Sequence, residues 1–124
     1  MKLIIAYVPF GCLARISSEL EKQHACDMSV SVAHGFGRER EGLQGARWEF
    51  ADIDRTKRLR VELACHDTDV DGIVATIYAV ANPGLRGNGF VFVLPIVDAL
   101  RLMTGERGTA ALGQPNGADV AHQA

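Results

Sequence analysis

Leu3, Ile4, Ile5, Ala6, Tyr7 and Val8 form an unbroken apolar run that ends at Pro9. That length, without a polar interruption, predicts a strand buried on both faces. The period then changes. Leu13, Ile16 and Leu20 recur at helical spacing while Ser17, Glu19, Glu21 and Lys22 fall on the opposite side, so a first helix is expected to about His24. Met28, Val30 and Val32 alternate with Ser29, Ser31 and Ala33, and Val61, Leu63 and Cys65 alternate with Arg60, Glu62, Ala64 and His66. Period two predicts two further strands, each with one polar face. Asp67 or Thr68 is placed to cap a second helix whose apolar stripe is Val70, Ile73, Val74, Ile77 and Val80, with Asn82-Pro83-Gly84 as its stop. Phe90 to Leu94 reads as the fourth strand.

The order is β-α-β-β-α-β in two similar halves. It predicts an α+β, ferredoxin-like domain: an antiparallel four-stranded sheet covered on one face by two helices. The other face then has no partner within the chain, which in so small a domain predicts assembly into a homo-oligomer. The connection between the second and third strands, residues 38 to 57, is far longer than a hairpin turn and holds Arg38, Glu39, Arg40, Glu41, Arg47, Glu49, Asp52, Asp54, Arg55 and Lys57. Residues 113 to 124 carry almost no large apolar side chain and are expected to form a tail without structure of its own.

At 124 residues, 48% hydrophobic and 23% charged, the chain suits one domain with a sizeable core and leaves no room for a second. A formal net charge of −2 gives no general attraction to nucleic acid or anionic lipid, so a basic site must be local. The first ten residues lack the length of a membrane span and the pattern of a secretory signal, so no membrane insertion and a cytoplasmic location are expected. Cys12, Cys26 and Cys65 are odd in number and share no CxxC spacing, which argues for reduced thiols over a disulfide framework or a zinc site. His24, His34, His66 and His122 have no common metal-ligand spacing, and no metal is expected.

Chemistry concentrates in "GFGRERE", residues 35 to 41, where glycines admit a ligand to the backbone and arginines suit an anion. Together with "MKLIIAYVPF", "MSVSVAHGFGR", "RVELACHD", "GNGFVFVLP" and "RLMTGERGTAAL", it resembles the PII signal-transduction family in order and without a gap over residues 1 to 112. The pairing of "GFGR" with "TGERG" at this separation is the specific part. The resemblance implies a homotrimer with adenine nucleotide in the clefts between subunits, and a long loop that reaches a partner protein. Carried over position by position, it implies nucleotide contacts from Met28, Ser29, Gly35, Phe36, Gly37, Arg38, Glu62, Ala64, Gly87, Asn88, Gly89, Phe90 and Arg101.

Departures from the family pattern narrow the expectation. Phe90 and Met103 stand where members usually carry a lysine and an arginine of the triphosphate clamp, and Asn88 replaces an aspartate. Each missing charge-assisted contact is worth about 1.5 to 3 kcal/mol, so AMP or ADP is expected to gain on ATP. Glu39 replaces the glutamine that helps hold 2-oxoglutarate, Arg58 replaces a nearby lysine, and Ala51 replaces the tyrosine that some members have uridylylated. These features resemble divergent members tied to bicarbonate and carbon fixation, including a carboxysome-associated type. A small anion near Glu39, Arg40 and Arg58 is compatible with that group. A nitrogen-regulatory protein that responds to ATP and 2-oxoglutarate is the alternative.

Simpler roles compete for several residues. Arg38, Arg40 and Arg47 are also placed to exchange surface ion pairs with Glu39, Glu41 and Glu49, each worth under about 1 kcal/mol. Glu62 is as well suited to a structural cross-strand pair beside Arg60 as to a nucleotide contact. Trp48 is either a partner-binding anchor or folds back onto the trimer. No GxSxG, HExxH or Walker motif occurs, and Ser17-Ser18 has no positioned histidine and acid, so no enzymatic role is expected, a slow nucleotide hydrolase being the alternative.

Overall fold

In the computed structural model the described residues are 1–23, 25, 27–35, 57–82 and 89–114. Strand β1 spans Lys2–Pro9, helix α1 Leu13–Lys22, strand β2 Ser29–His34, strand β3 Lys57–Cys65, helix α2 Val70–Ala81 and strand β4 Phe90–Pro95. Short 3-10 turns at Phe10–Cys12 and Asp67–Asp69 lead into the two helices, and a third spans Gly108–Leu112. The sheet order is β2-β3-β1-β4 with every neighbouring pair antiparallel. This is the expected ferredoxin-like βαββαβ arrangement.

Strand periodicity divides the sheet into a helix-side face and a bare one. Ile4, Ala6 and Val8 of β1 lie opposite Leu63, Val61 and Leu59 of β3, and these six are buried together with Ile16 and Leu20 of α1 and Ile73, Ile77, Val80 and Ala81 of α2. Burying each of the larger aliphatic side chains stabilises the fold by about 1.5 to 3 kcal/mol. Ile16 and Leu20 are four apart, as are Ile73 and Ile77, so each helix sets one stripe on the sheet. Beyond this core, the Gln23 side-chain amide donates to Thr76 Oγ1, and Thr76 Oγ1 donates to the Gly72 carbonyl oxygen at 2.9 Å. That chain ties the end of α1 to α2.

Four expectations change. First, β1 is buried on one face and not on both: Leu3, Ile5 and Tyr7 are only half-buried, because a single helical layer covers an antiparallel sheet on one side. Second, β3 begins at Lys57, inside the segment 38–57 assigned to the loop, since pairing of Lys57 with His34 and of Arg58 with both Ala33 and Pro9 extends the ladder into the charged run. Third, α1 ends at Lys22, short of His24. Fourth, neither Asp67 nor Thr68 caps α2 through its side chain. The Asp67 carboxylate instead accepts from the N-terminal ammonium at 2.9 Å and from Lys2 Nζ at 3.1 Å, which hold it below the usual aspartate range. Register explains this, because Lys2 pairs with Cys65, two residues before Asp67.

After β4 the chain makes a small hairpin that periodicity gave no sign of. Leu100 bridges Arg107, Gly108 N donates to Ala99 O at 2.9 Å, Arg101 N donates to Glu106 O at 2.9 Å, and Gly105 N closes the turn on Arg101 O at 2.7 Å. Gly105 adopts φ +77°, a conformation that a Cβ penalises. Of the expected tail, Gly113 is tied down: its N–H donates to Ala110 O, and its carbonyl oxygen lies 2.8 Å from His66 Nε2. Residues 115–124 lie outside the described residues.

Candidate functional site

The expected nucleotide residues within the described chain fall into two groups at opposite ends of the sheet. Gly35 follows β2, and Gly89 and Phe90 open β4, at the end where Pro9 pairs with Arg58 and Tyr7 with Phe90. Arg58, expected near a small anion, is at this end too, its Nη1 donating to the Lys57 carbonyl oxygen at 2.9 Å. Here Lys57 Nζ also stands 5.8 Å from the centre of the Phe10 ring. Met28, Ser29, Glu62, Ala64 and Arg101 lie toward the other end. Met28 packs against the core, Ser29 pairs with Glu62 on β3, and Ala64 pairs with Leu3. Seven residues of β3 separate Lys57 from Ala64, roughly 24 Å at about 3.4 Å per residue.

Arg101 belongs to that far end because its hairpin is anchored there. Ile96 N donates to Met1 O at 3.0 Å, and Arg101 Nε donates to the carbonyl oxygen of Ala111, two residues before the contact between Gly113 and His66. The Nε bond fixes the guanidinium plane and leaves its Nη edge, the edge suited to a bidentate anion. Arg107 is held nearby by Asp98, whose carboxylate also accepts the N–H groups of Ala99 at 2.8 Å and Gly108 at 3.2 Å. The Arg107 bond, then these backbone bonds, depress the Asp98 pKa. A charge-locked hairpin thus presents Arg101.

Between the two ends the bare face carries a polar cluster. Arg60 and Glu62 form an ion pair along β3, and Arg60 Nε donates to Tyr7 Oη at 3.2 Å. The expected cross-strand pair for Glu62 is therefore an intra-strand one, since both residues sit at even positions of the same strand and face the same way. Tyr7 was not among the expected site residues; alternation puts it beside Arg60 once β1 is paired with β3. Phe92 meets Tyr7 edge-on at 6.3 Å and stacks on Phe90 at 5.5 Å, with an interplanar angle of 8°. Phe90 is thus half of an aromatic stack on the bare face.

Phe36, Gly37, Arg38, Glu39, Arg40, Arg47, Trp48, Gly87 and Asn88 lie outside the described residues, as do Cys26 and His24. Among the described residues Cys12 and Cys65 are free thiols, burial raises the pKa of Cys65, and no three His, Cys, Asp or Glu side chains converge in a metal-ligating group. No described helix is long and apolar enough to cross a membrane.

Comparison with known proteins agrees with the topology. A nitrogen regulatory protein P-II of Nostoc punctiforme is 34% identical over 112 residues, 90% of this chain and 100% of that protein. Nitrogen regulatory protein P-II 2 of Methanothermobacter thermautotrophicus is 30% identical over 90% of this chain and 97% of its own. A P-II protein of Rhodospirillum rubrum is 30% identical over 90% and 100% respectively. The family described as nitrogen regulatory protein P-II matches residues 1–106, and its pattern runs through both ends of the sheet, the bare-face cluster and the hairpin; the chain belongs to the P-II family.

Proposed function

We propose that this chain is a PII-like regulatory protein that binds an adenine nucleotide in the clefts between subunits of a homotrimer. It passes metabolic state to a partner protein through the segment at about 38–57. P-II proteins are signalling regulators, bind adenine nucleotides in general and typically form trimers. The observation that carries the reading is the division of candidate residues between two ends of one sheet. Gly35 and Gly89 are too far from Ala64 and Arg101 for one mononucleotide to touch both groups in a single chain. A second copy placed head to tail unites them.

The nucleotide preference follows from Phe90. Its ring, stacked on Phe92, offers no cation to a terminal phosphate, and Met103 offers none from the hairpin. AMP or ADP is therefore favoured over ATP. Arg38, Gly37 and Phe36 supply the near wall with Gly35, Gly87, Asn88 and Gly89, and the far wall comes from Met28, Ser29, Glu62, Ala64 and Arg101. Glu39, Arg40 and Arg58 are the candidates for a small anion such as bicarbonate, which would make carbon status, in a carboxysome-linked role, the signal. Arg47 and Trp48 are the candidates for partner contact. The protein acts in the cytoplasm, with residues 1–112 as the domain and 113–124 as its tail.

Calorimetric titration with AMP, ADP and ATP, repeated with bicarbonate and with 2-oxoglutarate, tests ligand and coupling together. AMP or ADP should bind at least as tightly as ATP, and Arg38→Ala should weaken both. Deleting residues 42 to 50 should spare nucleotide binding and abolish partner binding, and hydrogen exchange across 38–57 should differ between free and liganded protein. An ATP advantage of tenfold, about 1.4 kcal/mol, strengthened by 2-oxoglutarate would favour a second reading, a nitrogen regulator. That reading draws on the 34%-identical nitrogen regulatory protein P-II of Nostoc punctiforme. ATP turnover near about 10 per second would instead make it an enzyme.

A further inference from the structure

The 3-10 turn Gly108–Leu112, which holds the Arg101 side chain, is pinned at both ends, and one of the pins lies outside the hairpin. At its start, Gly108 N donates to Ala99 O at 2.9 Å and to Asp98 Oδ1 at 3.2 Å. Just past its end, the Gly113 carbonyl oxygen lies 2.8 Å from His66 Nε2, 47 positions away in the chain. Between the pins Ala111, 4% exposed, offers its carbonyl oxygen to Arg101 Nε at 2.8 Å. A buried methyl sets the depth of Ala111 but not the direction of its carbonyl. The bond from Gly113 N to Ala110 O is internal and ties the turn to no other element.

The His66 contact is built from both sides. Gly113 has φ +73° and ψ −154°, a combination open essentially to glycine alone. An ordinary left-handed cap has ψ near about +47°, so Gly113 turns its carbonyl away from the usual cap direction, and His66 meets it there. That oxygen can only accept, so Nε2 carries the hydrogen. His66 follows Cys65, which pairs with Lys2, and its own carbonyl oxygen accepts from Asp69 N at 3.0 Å, so the backbone behind the ring is fixed. Gly113 is also the first residue past the span over which the chain resembles the family.

We propose that His66 is a positioning residue of the nucleotide site: through Gly113 it sets the Ala111 carbonyl that aims Arg101 at a phosphate. The inference rests on the reading above that Arg101 faces a nucleotide, and it adds a residue that touches no ligand. An arginine already aimed gives up less rotamer freedom when the anion arrives, so the latch raises affinity by preorganisation. Because His66 directly follows the strand that carries Glu62 and Ala64, it also keeps Arg101 in register with them. The effect falls on the phosphate, and adenosine, which has none, is indifferent to it.

The test uses the full chain, titrated with AMP and with adenosine, together with exchange of the Arg101 Nε–H proton with water read by NMR. His66→Ala should weaken AMP binding by about threefold to tenfold, the worth of one hydrogen bond, leave adenosine unchanged and speed Nε–H exchange. His66→Gln keeps a donor at a similar reach and should recover most of both losses. Gly113→Ala, where a Cβ meets no atom within 4 Å but φ is positive, should reproduce His66→Ala from the other side of the bond. In an Arg101→Ala background His66→Ala should change AMP binding no further. Equal losses for AMP and adenosine would make His66 merely structural, and a further loss in the Arg101→Ala background would mean that it acts elsewhere; either result overturns the proposal. So does unchanged Nε–H exchange. If the parent binds neither AMP nor ADP, the nucleotide reading fails and the role at the site fails with it, while faster Nε–H exchange in His66→Ala still sustains the latch on Arg101.

Discussion

Arg60 and Glu62, two residues apart on β3, form an ion pair on the sheet face that no helix covers, and Arg60 reaches across to Tyr7 Oη. In a single chain both side chains are about one-third exposed, and such a pair is worth under about 1 kcal/mol. Covered by a second copy, the same pair loses its solvent, and removal of one partner then costs about 3 to 5 kcal/mol. Glu62→Gln should therefore destabilise the protein little in urea titrations at low nanomolar chain concentration and severalfold more at tens of micromolar. An equal loss at both concentrations would show that the bare face stays wet.

Phe90 gives the sharpest handle on ligand choice. Phe90→Lys restores a cation at the start of β4, and one charge-assisted contact to a terminal phosphate is worth about 1.5 to 3 kcal/mol. The ratio of ATP to AMP affinity should rise by about tenfold or more in calorimetry. A ratio that does not move would mean that the terminal phosphates lie elsewhere, and the argument from the missing clamp would fail with it.

Much of this fold is legible in the sequence because each half alternates cleanly between period two and period 3.6: Ile4, Ala6 and Val8 against Leu59, Val61 and Leu63, and Ile73, Ile77 and Val80 along one helix face. Three features are not legible, for different reasons. Lys57 reads as loop because its place in β3 depends on pairing with His34, a tertiary fact. Asp67 reads as a helix cap, a local role, until sheet register brings Lys2 and the N-terminus to it. The hairpin at residues 99–108 has no apolar period, since its backbone bonds and the clasp of Arg107 on Asp98 hold it instead of a core. The candidate site residues follow from the family resemblance and from no local period. Their division between two ends of one sheet is visible only in the strand order.

The Asp98 clasp sets an acid limit. Arg107 foremost, then the N–H groups of Ala99 and Gly108, lower the Asp98 pKa in the folded state, and the N-terminus and Lys2 do the same for Asp67. A folded pKa below the unfolded value of about 3.9 means that the stabilisation is complete above that pH and is lost as pH falls through the folded value. Asp98→Asn should remove part of that slope. Thermal midpoints measured from neutral pH down to about 2.5 should converge between parent and variant at the acid end. Parallel curves would mean that Asp98 carries no such linkage.

Gly105 offers a way to disturb the hairpin without touching the core. Its φ of +77° suits glycine, its N–H closes the turn on Arg101 O, and Thr104 Oγ1 both accepts from Glu106 N and donates to Glu106 Oε1 around it. A Cβ added there meets no atom within 4 Å, so Gly105→Ala introduces backbone strain alone, about 1 to 2 kcal/mol. That strain falls on the turn between Arg101, Met103 and Arg107, while Ile16, Ile73 and Ile77 keep their packing. Gly11→Ala is the matched control, with the same open space and no positive φ. The Gly105 variant should lose AMP and ADP affinity and trimer stability, and keep its helical circular dichroism at room temperature. The Gly11 variant should match the parent in all three. If Gly105→Ala bound nucleotide and assembled like the parent, the hairpin would be a bystander, and Arg101 would have no part in the site.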